Sequence, residues 1–93
     1  MQNLGKEKVL ELYRLNHQIM CSKEVDHDQI DTLITFTKQN NTTDIIWFNY
    51  IDDKMHKWNK GMLDKICSKY IHDVDSYSKY LGITAEEIRL ARI

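Results

Sequence analysis

Apolar residues recur at every third or fourth position along most of the chain, which is the spacing of one face of an α-helix. In the first twenty residues this face consists of Val9, Leu12, Leu15, Ile19 and Met20. The spacing predicts a first helix from roughly Asn3 to Met20. Gly5 weakens the first turn of this helix, because glycine loses more backbone freedom than other residues when a helix forms.

Residues 25–30 carry the clearest signals for the start of a helix. Asp26 is a favourable N-cap, and Gln29 stands at the position that completes a capping box. Val25 and Ile30 flank this start with the spacing of a hydrophobic staple. We therefore expect a second helix that runs to about Gln39 and buries the apolar residues Ile30, Leu33, Ile34 and Phe36.

The segment that follows supports two interpretations. Thr42 or Thr43 is a suitable cap for a further helix, and the chain contains no proline that would interrupt one. Residues 45–51 are nevertheless so rich in apolar side chains that their periodicity does not separate a helix from a short strand. We favour the helix and keep the strand as the alternative.

Beyond residue 53 the apolar positions step by threes and fours without interruption. They are Met55, Trp58, Met62, Ile66, Tyr70, Val74, Tyr77 and Leu81. A single helix over residues 53–81 would be about 43 Å long, whereas a compact chain of this length has a diameter of about 32 Å. The pattern therefore predicts either a break at residues 59–61, with Gly61 ending the first part, or a homodimer that covers the overhang.

The closing segment, residues 76–93, resembles a helix-turn-helix motif in the spacing of Ser78, Gly82 and Ile88. A DNA-binding function would place its phosphate and base contacts on the basic side chains Lys79, Arg89 and Arg92. Glu86 and Glu87 weaken this interpretation, because two carboxylates would then face the phosphates.

The same segment is also explained by a last helix that docks on the bundle. Gly82 would end the preceding helix, and Thr84 would cap the next one with Glu87 completing a capping box. Ile83 and Ile88 have the spacing of a hydrophobic staple. We favour docking because it accounts for every residue of the segment.

Composition agrees with a helical domain. Hydrophobic residues make up 42% of the chain and charged residues 29%, and only three glycines are present. A chain of 93 residues has enough apolar surface for one small core only. We predict an all-α fold, a small bundle of four to six helices around a single core, with residues 1–93 forming one domain.

Net charge and cysteine content restrict the surroundings of the protein. The net charge is −1, which argues against general attraction to nucleic acid or membranes. Residues 1–53 carry five basic and nine acidic side chains, whereas residues 54–93 carry eight and five. Cys21 and Cys67 suggest reduced thiols, and no apolar stretch is long enough for a membrane span. We expect a cytoplasmic protein without membrane contact.

Residues with catalytic or metal-binding potential are few. His17 and Cys21 lie one helical turn apart, and Cys67 with His72 would complete a set of zinc ligands only if two helices met. Cys67 and His72 are five positions apart, which does not fit one helix face. No nucleophile stands in a recognisable relation to a base. We expect neither an enzyme nor a bound cofactor or metal.

Aromatic and basic residues near the middle of the chain are the best candidates for a binding surface. Tryptophan and tyrosine dominate binding hot spots, and lysines steer approach. The predicted contacts to a partner protein are Trp47, Tyr50, Trp58, Lys54 and Lys57. A helix over residues 53–81 also places a set of lysines opposite its apolar stripe, namely Lys54, Lys57, Lys60, Lys65 and Lys69.

These features predict a non-enzymatic helical module that binds another protein, whose identity the sequence does not give. The abundance of lysine, isoleucine and asparagine is typical of A/T-rich coding sequences. We therefore expect a small inhibitor or regulator encoded by a phage or mobile element. The alternative is a DNA-binding transcriptional regulator that uses residues 76–93, with nucleic acid as its partner.

Overall fold

Four α-helices form within residues 5–40 and 57–93, the parts of the chain that the computed structural model describes. Helix α1 spans Lys6–Cys21, α2 His27–Gln39, α3 Lys60–Leu81 and α4 Ala85–Ala91. These two ranges contain no β-strand, so the all-helical prediction is confirmed for them. The predicted cap at Thr42 or Thr43 and the choice between helix and strand at 45–51 lie outside the described residues.

Helix α1 is the centre of the bundle, because α2, α3 and α4 all pack against it. Its buried face is correspondingly wide and includes the polar residue Asn16. The apolar side chains buried in the single core are Val9, Leu12, Tyr13, Leu15, Ile19, Ile30, Leu33, Ile34, Leu63, Cys67, Tyr70, Val74 and Ile83.

Helix α1 begins after Gly5. Gly5 has an extended backbone and stands as the N-cap, and the predicted start near Asn3 lies outside the described residues. The poor helix propensity of glycine places the boundary at Gly5. The helix ends at Cys21, one residue beyond the predicted end.

Helix α2 begins as predicted, but only half of its predicted capping box forms. The Asp26 carboxylate accepts hydrogen bonds from the backbone N–H groups of Asp28 at 3.0 Å and Gln29 at 3.2 Å. The Gln29 side chain does not accept the reciprocal hydrogen bond from the Asp26 backbone N–H that a capping box requires. Its Oε1 atom is buried and has no hydrogen-bond partner among the described residues. The helix ends at Gln39 as predicted, with Ile30 buried and Phe36 half-buried.

The break predicted at residues 59–61 is confirmed, but glycine does not cause it. Asn59 has an extended backbone, and its side chain accepts a hydrogen bond from the Met62 N–H at 2.9 Å. Asn59 is therefore the N-cap of α3, and Gly61 lies inside the first turn instead of ending a helix. The 22 residues of α3 span about 33 Å. The helix is therefore about as long as the protein is along its longest axis, 34 Å.

The core-facing side of α3 also differs from the prediction in its first half. Leu63 and Cys67 are buried there, whereas Met62 is 48% exposed and Ile66 is half-buried. The buried positions continue through Tyr70, Val74 and Ser78. The buried positions are thus one residue further along the chain than predicted. Since each residue turns a helix by about 100°, Met62 and Ile66 are rotated away from the core.

The connection between α3 and α4 forms as predicted. Gly82 ends α3 in the left-handed region with φ of 75°, which glycine adopts at little cost. Thr84 and Glu87 form the capping box of α4, with a bond of 3.2 Å from the Glu87 N–H to the Thr84 hydroxyl. Ile83 is buried and Ile88 is half-buried against the core.

Lys60 joins the end of α1 to the start of α3. Its ammonium group donates to the backbone carbonyls of Ile19 at 2.7 Å and Met20 at 3.2 Å, and to Asp64 at 2.7 Å. The last turn of α1 has no basic side chain of its own. Lys60 therefore supplies the cation that the negative end of the α1 dipole favours.

Replacement of Lys60 should destabilise the bundle although the residue lies near the surface. We expect Lys60→Ala to lower the free energy of unfolding by about 1 to 2 kcal/mol, because two carbonyls and Asp64 lose a charged donor. Lys65→Ala is the matched control on the same helix and should change it by about 0.5 kcal/mol or less. Urea denaturation of both variants measures the difference, and equal stabilities would show that the Lys60 bonds contribute nothing.

Candidate functional site

A shallow apolar depression lies near the start of α3. Trp58, Met62, Lys65 and Ile66 line this depression, whose volume is about 160 Å³. Lys69 follows one turn after Lys65 on the same side of the helix. We call these five residues the Met62 face.

The Met62 face exists because the core of α3 is built on neighbouring positions. Leu63 and Cys67 point into the bundle and leave Met62 and Ile66 at its edge. Trp58 precedes the Asn59 cap and packs partly against the core. Its ring therefore forms a fixed wall of the depression, whereas the flexible Met62 side chain is open to solvent.

The Met62 face is positively charged. Lys57, Lys65 and Lys69 are exposed, and none of them takes part in an ion pair among the residues that the structure describes. Lys60 differs from them, because Asp64 neutralises it. The depression is thus lined by one exposed lysine, Lys65, and Lys69 follows it one helical turn later.

The size of the depression indicates what it holds. Small-molecule sites usually enclose about 300 to 1,000 Å³, and the depression on the Met62 face is about half the lower limit. A space of this size accommodates a single apolar side chain. The chemistry available there is burial of one such side chain beside Lys65.

The predicted partner-binding residues are only partly within the described chain. Trp58 lies in the Met62 face, and Lys57 is exposed beside it. Trp47, Tyr50 and Lys54 lie outside the described residues, so their part in this surface stays a prediction.

Met62 and Ile66 were not predicted to be surface residues, because both belonged to the apolar stripe that was expected to face the core. The sequence contains a second apolar stripe, which leaves both residues outside it, and the packing of α3 selects between the two. The positions Leu63, Cys67, Tyr70, Val74, Tyr77 and Leu81 alternate steps of four and three, as a helix packed along its length requires. The predicted stripe advanced by fours through Met62 and Ile66 and therefore drifted around the helix.

The predicted apolar stripe placed the lysines on the opposite side of the helix. The structure places the lysines beyond residue 56 differently. Lys65 lines the same depression as the exposed Met62, and Lys69 follows it one turn later. Lys60 is half-buried at the end of α1. Because the stripe was misplaced, the basic and apolar residues form one surface and not two.

The C-terminal basic residues make contacts within the protein. Arg89 is paired with Glu86 through bonds of 3.1 and 2.5 Å, which raise the pKa of its guanidinium. The Arg92 guanidinium lies 5.3 Å from the centre of the Tyr13 ring, a cation–π geometry. Lys79 is exposed. Arg89 and Arg92 are therefore already engaged within the protein.

Helix α4 is held against α1 by a charged contact as well as by apolar packing. Glu87 pairs with Lys6, and the hydrogen bond from Lys6 lowers the pKa of the Glu87 carboxyl. Glu87 also accepts from the Thr84 N–H at 3.1 Å. The same carboxylate thus closes the capping box and contacts the first helix.

A polar cluster lies between α1 and α3. The buried Tyr13 hydroxyl donates a hydrogen bond to Asp75 and lies 2.7 Å from the Ser78 hydroxyl. The Ser78 hydroxyl also donates to the Val74 carbonyl at 2.9 Å. Burial, together with the bond to Asp75, raises the pKa of Tyr13 from 10.0 to about 12. The phenol therefore keeps its proton further into alkaline pH than an ordinary tyrosine does, and its hydrogen bonds join the two helices.

The residues considered for zinc do not form a site. His17 Nε2 lies 3.3 Å from Cys21 Sγ at the surface of α1, whereas Cys67 is buried and His72 is exposed. Within residues 5–40 and 57–93, no three side chains of histidine, cysteine, aspartate or glutamate lie close enough to hold a metal ion.

An open groove of about 350 Å³ lies between α1 and α2. Its apolar surface comes from Leu15 and Phe36, and Arg14 already pairs with the Glu11 carboxylate at its edge. The remaining lining residues are Asp31, Thr32, Thr35 and Gln39.

None of the helices within the described ranges has the length and apolar character that crossing a membrane requires.

Comparison with known proteins identifies no relative. No family model, no curated protein and no solved structure matches this chain.

The two cysteines should differ sharply in reactivity. Cys21 is exposed and Cys67 is buried, and burial raises the pKa of the Cys67 thiol to about 12. Because the thiolate is the reactive form, a disulfide reagent should modify Cys21 within minutes and Cys67 only after denaturation. Cys21→Ser should abolish the fast reaction, and Cys67→Ser should retain it. Rapid modification of both thiols in the folded protein would contradict the packing of α3.

Alkaline pH should destabilise the protein through Tyr13. Tyrosine in the unfolded chain loses its proton near pH 10, whereas Tyr13 in the folded protein holds it to about pH 12. The folded state binds more protons between these values, so the free energy of unfolding should fall as pH rises, by about 2 to 3 kcal/mol. Denaturant titrations of wild type and Tyr13→Phe between pH 9 and 12 measure this, and the variant should show a shallower decline. Equal slopes would exclude the Tyr13 contribution.

Proposed function

We propose that this protein is a non-enzymatic helical module that binds another protein through the Met62 face. The observation that carries this proposal is an apolar depression of about 160 Å³ lined by Trp58, Met62, Lys65 and Ile66, with a second exposed lysine, Lys69, one turn further along α3. An apolar side chain of the partner fills the depression, and acidic residues of the partner meet the lysines.

The energetics of such a contact favour the apolar residues. Binding energy is concentrated in a few buried anchors, whereas charges at the rim mainly increase the association rate. Met62 loses the most solvent-exposed apolar surface when the face is covered, since it is 48% exposed in the free protein. Trp58 adds a large ring at the wall of the depression.

We propose further that the protein acts as a small inhibitor or regulator encoded by a phage or mobile element. This part rests on the A/T-rich type of composition and on the lack of a recognisable catalytic arrangement in the sequence. A cytoplasmic location is part of the same proposal.

DNA binding through residues 76–93 is the less favoured alternative. Glu86 and Glu87 lie in the first turn of α4, where a recognition helix presents its contacts to DNA. Arg89 and Arg92 are already engaged by Glu86 and Tyr13. A DNA-binding role would require both arginines to leave these partners.

The test compares charge changes on two sides of α3. A partner is first captured from cells of the source organism with immobilised wild type, then purified and titrated by calorimetry. We expect Met62→Glu to weaken binding by about 2 kcal/mol, or about thirtyfold, because a carboxylate would enter the apolar contact. Lys65→Glu should weaken it mainly through a slower association rate that depends on salt.

Lys79→Glu is the matched control, because Lys79 is also an exposed lysine of α3 and lies outside the Met62 face. It should leave affinity within about twofold of wild type, since isolated surface charges contribute little. Thermal melts of all variants establish that they fold. Wild-type affinity of the folded Met62→Glu variant would refute the proposed surface.

A further inference from the structure

The Met62 face has the residue spacing of a coiled-coil hole. A hole that receives a side chain from a facing helix is formed by four residues at positions i, i+3, i+4 and i+7 of one helix. Met62, Lys65, Ile66 and Lys69 have this spacing on α3. The first three of them line the depression together with Trp58, so the hole is open in the structure.

We propose that the occupant of the Met62 face is an amphipathic α-helix of the partner, with apolar residues facing α3 and acidic residues along one edge. This inference rests on the proposed function and names the chemistry of its partner. From Met62 to Lys69 the face extends about 10 Å along α3, so the facing helix contacts it over about two turns.

The charge on the face is one-sided. At 100° per residue, Met62 and Ile66 lie nearer the core, and Lys65 and Lys69 lie on the side away from it. A facing helix therefore places its apolar residues over Met62 and Ile66. Its acidic residues lie along the lysine edge, where charged pairs set the orientation of coiled-coil partners.

A second copy of this chain fits the face poorly. Two Met62 faces in contact would bring unpaired lysines of both copies together, and like charges at such positions oppose pairing. A nucleic acid would satisfy the lysines but would leave the apolar depression unfilled, because phosphates are the groups that lysines contact. An acidic amphipathic helix uses both features.

The experiment uses three synthetic peptides as probes, each about 20 residues long so that a helix is able to form. The acidic peptide has leucine at the heptad a and d positions and glutamate at e and g, so that repulsion prevents its own assembly. The lysine peptide has lysine instead of glutamate. The broken peptide is the acidic peptide with a central proline.

We expect the acidic peptide to bind full-length wild type at least about tenfold more tightly than the other two peptides, and to gain helical circular dichroism on binding. Met62→Glu should reduce this affinity about tenfold or more. Met62→Ser is the second variant in case the glutamate disturbs folding. Lys79→Glu should bind like wild type.

Charge reversal gives the sharpest readout. The double variant Lys65→Glu, Lys69→Glu should lose the acidic peptide and gain the lysine peptide, because the same helix geometry then meets opposite charges. A gain of binding to the lysine peptide does not arise from a general change in folding or solubility.

Three results would overturn the inference. Equal binding of the acidic and broken peptides would show that the face does not require a helix. A dimer in light scattering that Met62→Glu dissociates would identify a second copy as the occupant. If duplex DNA competed with the acidic peptide and bound the Met62→Glu variant as tightly as wild type, the occupant of the face would be a polyanion. The proposed function fails separately, when the captured partner binds Met62→Glu as tightly as wild type.

Discussion

The packing of three helices on α1 is the constraint on which the rest of the described structure depends. A chain of 93 residues has little surface to bury, and this bundle buries it around one central helix. Val9, Leu12 and Tyr13 of α1 have no exposed surface at all. Because α3 uses Leu63 and Cys67 to meet α1, its neighbouring apolar residues are left at the surface. The Met62 face is thus a direct consequence of how α3 is rotated on α1.

Several features of the fold were predictable because they depend on local chemistry. The N-caps at Asp26 and Thr84 and the left-handed Gly82 are each specified by residues within one turn of the chain. The end of α2 was equally predictable from the sequence. These signals do not depend on which helix packs against which, so one sequence suffices to read them.

The features that could not be predicted depend on contacts between distant residues. Met62 and Leu63 are adjacent apolar residues, and only the packing of α3 on α1 decides which of them is buried. The role of Lys60 is similar, because its carbonyl partners lie in another helix. The candidate site was therefore located only in part. Trp58 and Lys57 were identified from residue type, whereas Met62 and Ile66 required the rotation of the helix.

The hydrogen bonds that link α1 to α3 join residues far apart in the chain. Tyr13 and Asp75 are separated by 62 positions, and Lys60 and Ile19 by 41. Local contacts dominate most small helical proteins and allow them to fold quickly. Here a nascent chain that has emerged only through α2 has nothing to cover the Tyr13 side of α1. Burial of Tyr13 therefore waits until α3 has left the ribosome, which makes the order of synthesis part of how this bundle assembles.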